Sequence, residues 1–316
     1  MMRDLTLQMG QMLLVLAIAP LLTGFVRKLK SRLQQRRGPP VLQPYRDLWK
    51  LLRKEAVVAE NASWLFRAAP YLIFAATWTA ASLVPTFATG LALSASADLL
   101  AIVALLGSAR FFLALAGLDI GTSFGGIGSS REVMIASLAE PALIVVAFTL
   151  ALIAGSTQLS VIAAVMTSGE VGLRVSLGLA LAALIIVAIA ENGRIPVDNP
   201  ATHLELTMVH EAMVLEYSGR HLAVIEVAGS LKLLLYVSLI AAVFAPWGLA
   251  TPDAAPGQYL VGIAAYLAKV GVAGLLLALF ETTIAKMRVF RVPEFLGISL
   301  MLALLGALLM FVTRSL

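Results

Sequence analysis

Eight long apolar windows recur along the chain, separated by shorter segments that are richer in polar and charged residues. A helix needs roughly 20 apolar residues to cross about 30 Å of hydrocarbon, and each window approaches that length. The windows run over residues 5–26, 68–90, 98–117, 132–154, 172–190, 221–245, 259–280 and 295–313. The pattern predicts an all-α integral membrane protein with about eight transmembrane helices, folded as a single membrane domain over residues 1–316.

A basic segment, residues 27–67, separates the first two windows and shows a second pattern. Around Trp49, in PYRDLWKLLRKE, leucines recur on one helical face while arginine and lysine occupy other positions. Such spacing is typical of an amphipathic helix that lies in the membrane interface. We therefore predict an interfacial helix here, with Arg36, Arg37 and Trp49 as docking residues. It could act only as a surface anchor, or it could also shape the entry to a cavity.

The composition and the distribution of charge agree with a membrane protein. Hydrophobic residues make up 60% of the chain, charged residues 13%, and the mean hydropathy is +0.94, far outside the range of soluble domains. Lysine and arginine concentrate in residues 27–67, which the positive-inside rule places in the cytoplasm, with both termini outside. The net charge of +5 then reflects this sidedness, and we expect no nucleic acid as a partner.

The residue types limit the chemistry that the chain can perform by itself. It has no cysteine, so it cannot supply thiolate ligands to an iron–sulfur cluster. Its three histidines all lie in or beside one loop, whereas a membrane haem usually needs ligands on packed spans. The sequence also lacks a glycine-rich phosphate loop, a nucleophile triad and metal-ligand spacing. We therefore predict no catalytic residue, no bound metal and no bound cofactor.

Charged residues inside the apolar windows are the sharper functional evidence. Each costs between about 3 and over 10 kcal/mol at the centre of a bilayer, so such residues tend to be functional. With a rise of 1.5 Å per residue, Lys232 and Lys269 lie near the midplane, roughly 16 Å from a window end. Static ion pairs that fix helix packing are the alternative, but titratable groups at graded depths favour proton or ion movement. The candidate relay residues are Arg110, Glu140, Glu226, Lys232, Lys269 and Glu281.

The segment between the fifth and sixth windows, residues 191–220, is predicted to be an acidic cytoplasmic loop. Pro196 and Pro200 end any helix that continues from the fifth window. From Ala201 to Tyr217 the spacing predicts a helix, and its apolar residues indicate that the loop docks on another surface. Five carboxylates fall within 26 residues, with an arginine as counter-charge. The candidate functional residues of this loop, which we call the junction residues, are Glu191, Arg194, Asp198, Glu205, His210, Glu211 and Glu216.

Four motifs in order resemble the subunit 1 family of respiratory complex I and its hydrogenase relatives. They are RLQQRRGPPVLQPYRDLWKLLRKE at 32–55, AENGRIPVD at 190–198, EYSG at 216–219 and ETTIAKMR at 281–288. The resemblance covers essentially the whole chain. It implies an eight-span subunit that lies beneath the hydrophilic arm of an electron-transfer complex and joins that arm to an ion-pumping membrane arm.

Within that family, the loop favours the hydrogenase branch over the quinone-reducing branch. Ala201 and His203 stand where quinone-reducing members usually have acids, and about three extra residues precede the EYSG motif. The stretch is similar to that of the membrane subunit of energy-converting nickel–iron hydrogenases of the formate hydrogenlyase type. This branch implies that hydrogen evolution in the hydrophilic arm is linked to proton or sodium translocation. It also implies that a quinone chamber is vestigial or absent.

The resemblance implies partners, cofactors and a location. The partners would be the nickel–iron hydrogenase large and small subunits, iron–sulfur subunits, antiporter-like membrane subunits and membrane lipid. The nickel–iron site and the iron–sulfur clusters would lie in those partner subunits, and the chain would span a prokaryotic cytoplasmic (inner) membrane. A quinone-reductase subunit, a free-standing ion transporter and a plain structural anchor are the alternatives.

Overall fold

The computed structural model describes residues 2–168, 174–198, 208–252 and 254–315, and this part of the chain contains helices but no strand. The all-α prediction is confirmed. The helices are α1 Met2–Leu33, α2 Gln43–Leu52, α3 Trp64–Leu83, α4 Leu99–Asp119, α5 Ser123–Ala154, α6 Leu159–Thr167, α7 Val175–Glu191, α8 His210–Val214, α9 Gly219–Phe244, α10 Pro256–Thr283 and α11 Val292–Ser315. Two short 3-10 turns lie at Ser94–Ser96 and Val289–Arg291.

Six helices in the described ranges are long and apolar enough to cross a membrane: α1, α4, α5, α9, α10 and α11. This agrees with a membrane protein, but the predicted count of eight spans is not confirmed. The difference arises because α3 and α7, which correspond to two of the predicted spans, are not among these six helices. At 17 residues, α7 is about 26 Å long, and the 20-residue α3 contains Arg67 and Pro70 among its apolar residues.

The long helices form one bundle in which α5 holds a central place. Helices α4, α7 and α11 pack against α5, while α3 packs between α4 and α9 and α1 packs against α9 and α10. Small buried residues such as Ala139 and Ala183 allow the helices to approach closely. Ser299 of α11 donates a hydrogen bond to the Ala183 carbonyl of α7 at 2.9 Å, which ties two of these helices together.

The predicted amphipathic segment contains a helix, α2, that lies against α1 and α9. The Tyr45 hydroxyl donates a hydrogen bond to the Ala17 carbonyl of α1. On the outward side, Trp49 is 60% exposed and the Arg53 guanidinium lies 4.4 Å from the centre of its ring. The helix therefore has one face fixed to the bundle and an exposed face that carries tryptophan and cations.

The acidic loop folds into the bundle. Val197, Met208 and Met213 have at most 2% of their surface exposed, and α8 packs against α4 and α5. A Cβ at Gly128 of α5 would lie 3.0 Å from Ala212, so the glycine permits this close approach. In the described residues the predicted helix is only α8. The rest of that prediction, 201–207, including His203 and Glu205, lies outside the described residues.

The EYSG motif ends the loop and fixes it to the segment that follows α2. Gly219 has a φ of +51°, and a Cβ there would lie 2.3 Å from the Glu55 carbonyl oxygen. Ser218 accepts a hydrogen bond from the Val57 amide at 2.8 Å, and Tyr217 stacks on Phe66 at 4.0 Å between ring centres. The positive φ and the lack of room both require glycine at this position. The turn at Gly219 also explains why the helix predicted up to Tyr217 does not continue into α9.

Candidate functional site

A buried arginine of α4, Arg110, holds together three carboxylates from two other helices. Its Nη1 lies 2.9 Å from Glu140 Oε1 and its Nε lies 3.5 Å from Glu132 Oε1, both on α5. Its Nη2 contacts the Glu191 carboxylate at the end of α7, and Lys232 Nζ of α9 lies 3.8 Å from Glu191 Oε2. We call these five residues the Arg110 cluster. With every group ionised, three carboxylates face two cations, so one negative charge lacks a partner within the cluster.

Helix geometry explains why these side chains meet. Glu132 and Glu140 are eight residues apart, so they share one face of α5. Gly107 stands opposite on α4, where even a Cβ would make only an ordinary van der Waals contact with Glu140 Oε1, at 3.5 Å. Arg110 is eleven residues into α4, roughly 16 Å from its start. Because Glu191 contacts it there, α7 ends well inside the bundle.

The members of the Arg110 cluster differ in exposure, so the cluster has one exposed end and one buried end. The side chains of Arg110, Glu132 and Glu191 are at most 7% exposed, whereas that of Glu140 is 41% exposed. Glu140 is therefore the accessible end, and Glu191 and Lys232 lie at the opposite end. Removing carboxylates from water is costly unless cations compensate them, and this cluster has one carboxylate more than it has cations.

Glu132 and Tyr236 belong to this site, although the sequence analysis did not include them. The Tyr236 hydroxyl is buried, has no hydrogen-bond partner among the described residues and lies within electrostatic range of Arg110 and Glu140. Glu132 stood at the start of an apolar window and was read as its boundary. Its eight-residue spacing from Glu140 was the available signal. Nothing in the sequence marked Tyr236.

A polar cavity of about 490 Å³ begins where the Arg110 cluster ends. Glu191 and Lys232 belong to both, so the cavity continues the row of charges. We call the side of the bundle onto which it opens the cavity end. The other charged lining residues are Arg27 and Lys30 of α1, Arg194 and Asp198 of the loop, His210 and Glu211 of α8, and Glu226 of α9. The structure thus places most of the predicted junction residues around one space, together with two predicted relay residues.

Two ion-pair groups fasten the loop at the cavity end. Lys30 Nζ lies 2.7 Å from Glu281 Oε2, and Arg194 Nη1 lies 3.5 Å from Glu281 Oε1. Lys286 Nζ lies 2.8 Å from Asp198 Oδ1, and Asp198 Oδ2 accepts a hydrogen bond from the amide of Val209 at 3.2 Å. The AENGRIPVD motif is therefore held against the ETTIAKMR motif. Burial lowers the pKa of Arg194 while Glu281 raises it, and the guanidinium stays protonated.

His210 is the histidine that lines this cavity, and its surroundings favour the neutral imidazole. Burial lowers its pKa below the usual 6.5, and the positive charge of Lys232 lowers it further. Glu132 and Asp198 act in the opposite direction but do not reverse the shift. The imidazole is therefore neutral at pH 7 and available to accept a proton beside Lys232.

The remaining predicted residues lie elsewhere. Lys269 of α10 donates a hydrogen bond to the Trp247 carbonyl at 2.5 Å and lies 5.6 Å from the centre of that residue's ring, apart from the Arg110 cluster. Glu216 is half-buried and does not line the cavity. Arg36 and Arg37 are exposed. In the described ranges no three His, Asp or Glu residues come close enough together to hold a metal ion.

Comparisons with known proteins agree with the motifs. The family model described as NADH dehydrogenase matches residues 7–313. The chain is 37% identical to formate hydrogenlyase subunit 4 of Escherichia coli (strain K12), over 90% of this chain and 91% of the relative. It is 34% identical to hydrogenase-4 component C of the same organism, over 92% of each chain. With NADH-quinone oxidoreductase subunit 8 of Rhodothermus marinus the identity is 29%, over 73% of this chain and 70% of the relative.

One solved structure shows the same fold. A chain of the membrane-bound sulfane sulfur reductase, an archaeal respiratory membrane complex, superimposes with a TM-score of 0.81 at 21% identity, and the match covers 98% of both chains. The family resemblance read from the four motifs is confirmed, and the identities favour the hydrogenase relatives over the quinone oxidoreductase subunits.

Proposed function

The chain belongs to the NADH dehydrogenase family, of the complex I subunit 1 type, and on that premise we propose that it couples hydrogen evolution to ion movement. In this proposal it is the membrane-anchoring subunit of an energy-converting hydrogenase complex of the formate hydrogenlyase type. The identities of 37% and 34% to two hydrogenase-complex subunits support this assignment. Proton or sodium translocation would occur in the membrane arm of the same complex.

The observation that carries the proposal is the continuity between the polar cavity and the Arg110 cluster. Glu191 and Lys232 line the cavity and also belong to the cluster. A change of charge at the cavity, from electron arrival in a partner or from proton uptake by His210, alters the field on Glu191. Arg110 then redistributes its contacts among Glu191, Glu132 and Glu140, and a proton can be gained or released at the accessible Glu140.

The redox chemistry of such a complex would lie in partner subunits. A nickel–iron site and iron–sulfur clusters would be held there, because this chain offers no cysteine and both need thiolate ligands. The proposed partners are the hydrogenase large and small subunits, the iron–sulfur subunits and antiporter-like membrane subunits. The hydrophilic ones would dock at the cavity end, over the loop that carries Asp198 and His210.

We also propose an orientation and a span count. The basic segment 27–67 places the cavity end in the cytoplasm by the positive-inside rule, with the chain in a prokaryotic inner membrane. Helices α3 and α7 would then complete the set of eight spans. The short α7 is compatible with this because its end at Glu191 and the following loop lie inside the bundle.

Purification of the complex tests the proposed function. The tagged chain would be extracted from its own membranes in mild detergent, the co-purifying subunits identified by mass spectrometry, and hydrogen evolution assayed. We expect a nickel–iron hydrogenase large subunit with its iron–sulfur partners. Co-purification with quinone-reductase subunits, or purification of the chain alone, would contradict the proposal.

A further inference from the structure

A second, apolar opening lies on the membrane-facing side of the bundle, between α7, α9 and α10. This groove has a volume of about 390 Å³. Among its lining residues in the described chain, Arg194 is the only charged one, at one end with Asn192. The rest of the wall is apolar apart from Tyr236 on the floor: Ile185, Ala188, Ile189, Leu233, Val237, Ile240, Ala273, Leu276, Leu277 and Phe280. The groove is therefore amphipathic along its length.

The packing of the helices explains why the groove exists. Helix α10 packs mainly against α1 and only slightly against α9, whereas α7 packs against α5 and α11. A strip of α9 between α7 and α10 is consequently left uncovered by protein. Leu276 of α10 is 60% exposed and Ile185 of α7 is 41% exposed, so the groove opens towards the surroundings of the bundle, which in a membrane are lipid chains.

The polar end of the groove carries an excess of positive charge. Glu281 is the only carboxylate with which Arg194 pairs among the described residues, and Lys30 lies closer to that carboxylate, at 2.7 Å against 3.5 Å. Arg27 lies near enough to act on Arg194 as a second positive charge. Glu281 is thus shared by two cations, and Arg27 is a third cation near Arg194. A poorly compensated guanidinium with a low exposed fraction calls for another anion.

We propose that this groove binds an anionic phospholipid, with an acyl chain against α9 and the headgroup phosphate at Arg194. The apolar walls suit the chain, and the planar guanidinium suits a phosphate, to which it can donate two parallel hydrogen bonds. Basic pockets between spans at the cytoplasmic side are suited to anionic headgroups. The charge of the groove end selects an anionic lipid over a zwitterionic one.

A lipid bound in the groove would change the electrostatic potential in the polar cavity. Asn192 and Arg194 line both spaces, so they form the partition between the lipid site and the cavity. A phosphate at Arg194 weakens the attraction between Arg194 and Glu281 and adds a negative charge beside Glu191. The lipid therefore sets the electrostatic potential at the cavity end, which makes it a regulator of the site as well as a filler of the groove.

Native mass spectrometry of the intact complex in detergent tests the proposal. Phosphatidylglycerol and phosphatidylcholine with the same acyl chains would be titrated separately, and bound lipid counted per complex. We expect phosphatidylglycerol to bind tighter, and Arg194→Gln to weaken its binding by about tenfold and that of phosphatidylcholine by less, because the choline cation already offsets the charge of its phosphate. Arg288→Gln, which removes the same charge from an exposed position, is the matched control and should leave both affinities unchanged.

Two further variants keep the test decisive if Arg194→Gln disturbs folding. Ala273→Phe fills the groove without a change of charge and should weaken binding of both lipids. A photo-reactive amino acid at Leu276 should capture lipid in the native membrane. Equal phosphatidylglycerol binding by wild type, Arg194→Gln and Ala273→Phe would overturn the proposal, and so would capture at Leu276 of a partner's transmembrane helix alone.

Discussion

Arg110 and Lys269 both lie in apolar windows at similar estimated depths, yet the structure surrounds them very differently. Arg110 pairs with three carboxylates on two helices, and its neighbour Glu191 continues the row of charges to Lys232. Lys269 has one backbone carbonyl and one indole ring, both of Trp247. Depth along a helix therefore does not by itself bring a charge into contact with charges on other helices.

Removal of Arg110 should have the largest effect. Arg110→Leu leaves Glu132, Glu140 and Glu191 without their shared cation, and such an uncompensated buried charge costs roughly 3–5 kcal/mol. We expect little assembled complex in membranes and a lower unfolding temperature in detergent. Arg110→Lys should recover part of the loss, because it restores the charge but not the three-way contact. Normal assembly of Arg110→Leu would contradict the geometry.

Neutralisation of Glu140 should separate assembly from transport. Glu140 is the exposed end of the Arg110 cluster, so Glu140→Gln removes a proton site while leaving Arg110 paired with Glu132 and Glu191. We expect normal complex yield and a fall in ion translocation of about a hundredfold or more, the lower end of the usual contribution of a residue that transfers protons. Translocation would be followed with a pH-sensitive dye in sealed vesicles. If translocation continued at the wild-type rate, Glu140 would have only a packing role.

His210 should make stability depend on pH. Its pKa in the folded protein lies below the usual 6.5, chiefly because of burial and then Lys232. The unfolded chain therefore binds the proton more readily, and the stability of the folded state is present above pH 6.5 and falls as the pH drops through the folded pKa. Thermal unfolding of the wild type and of His210→Gln between pH 5 and 8 checks this. The variant should lose part of the acid sensitivity, and identical pH curves would contradict a lowered pKa of His210 in the folded protein.

Lys269 should give the smallest effect. Lys269→Ala removes one hydrogen bond and one cation–π contact at a half-exposed site, a change of about 1 kcal/mol or less. We expect an unfolding temperature close to that of the wild type and unchanged ion translocation. A large loss of translocation in this variant would show that α10 carries a path for ions separate from the Arg110 cluster.

The fold class could be read from the sequence because apolar length and helical spacing are local properties. The length of α7 and the end of the helix that was predicted in the acidic loop could not be read from the sequence. Both depend on contacts between residues that are far apart along the chain. Gly219 adopts a positive φ where its backbone packs against Glu55. Helix α7 ends at Glu191, whose carboxylate contacts Arg110.

The candidate site was partly predictable for a similar reason. Charges within windows and acids in the loop marked Arg110, Glu140 and Glu191, but the sequence did not show which of them meet. The burial of Tyr236 and the pairing of Lys30 with Glu281 result from tertiary packing. The local amino-acid sequence therefore does not predict them. Lys269 is the opposite case. Like Lys232, it is a lysine near the middle of an apolar window, but the residues that surround the two lysines in the structure differ.

Coupled proton movement in the Glu191→Gln variant tests the central claim most directly, because Glu191 joins the cavity to the Arg110 cluster. The measurement would follow acidification or alkalinisation of sealed vesicles during hydrogen evolution by the assembled complex. Glu294→Gln is the control, since its carboxylate is exposed and pairs with the exposed Arg291. We predict that Glu191→Gln keeps the subunits together but loses translocation, while Glu294→Gln behaves as the wild type. Wild-type translocation by Glu191→Gln would contradict the account.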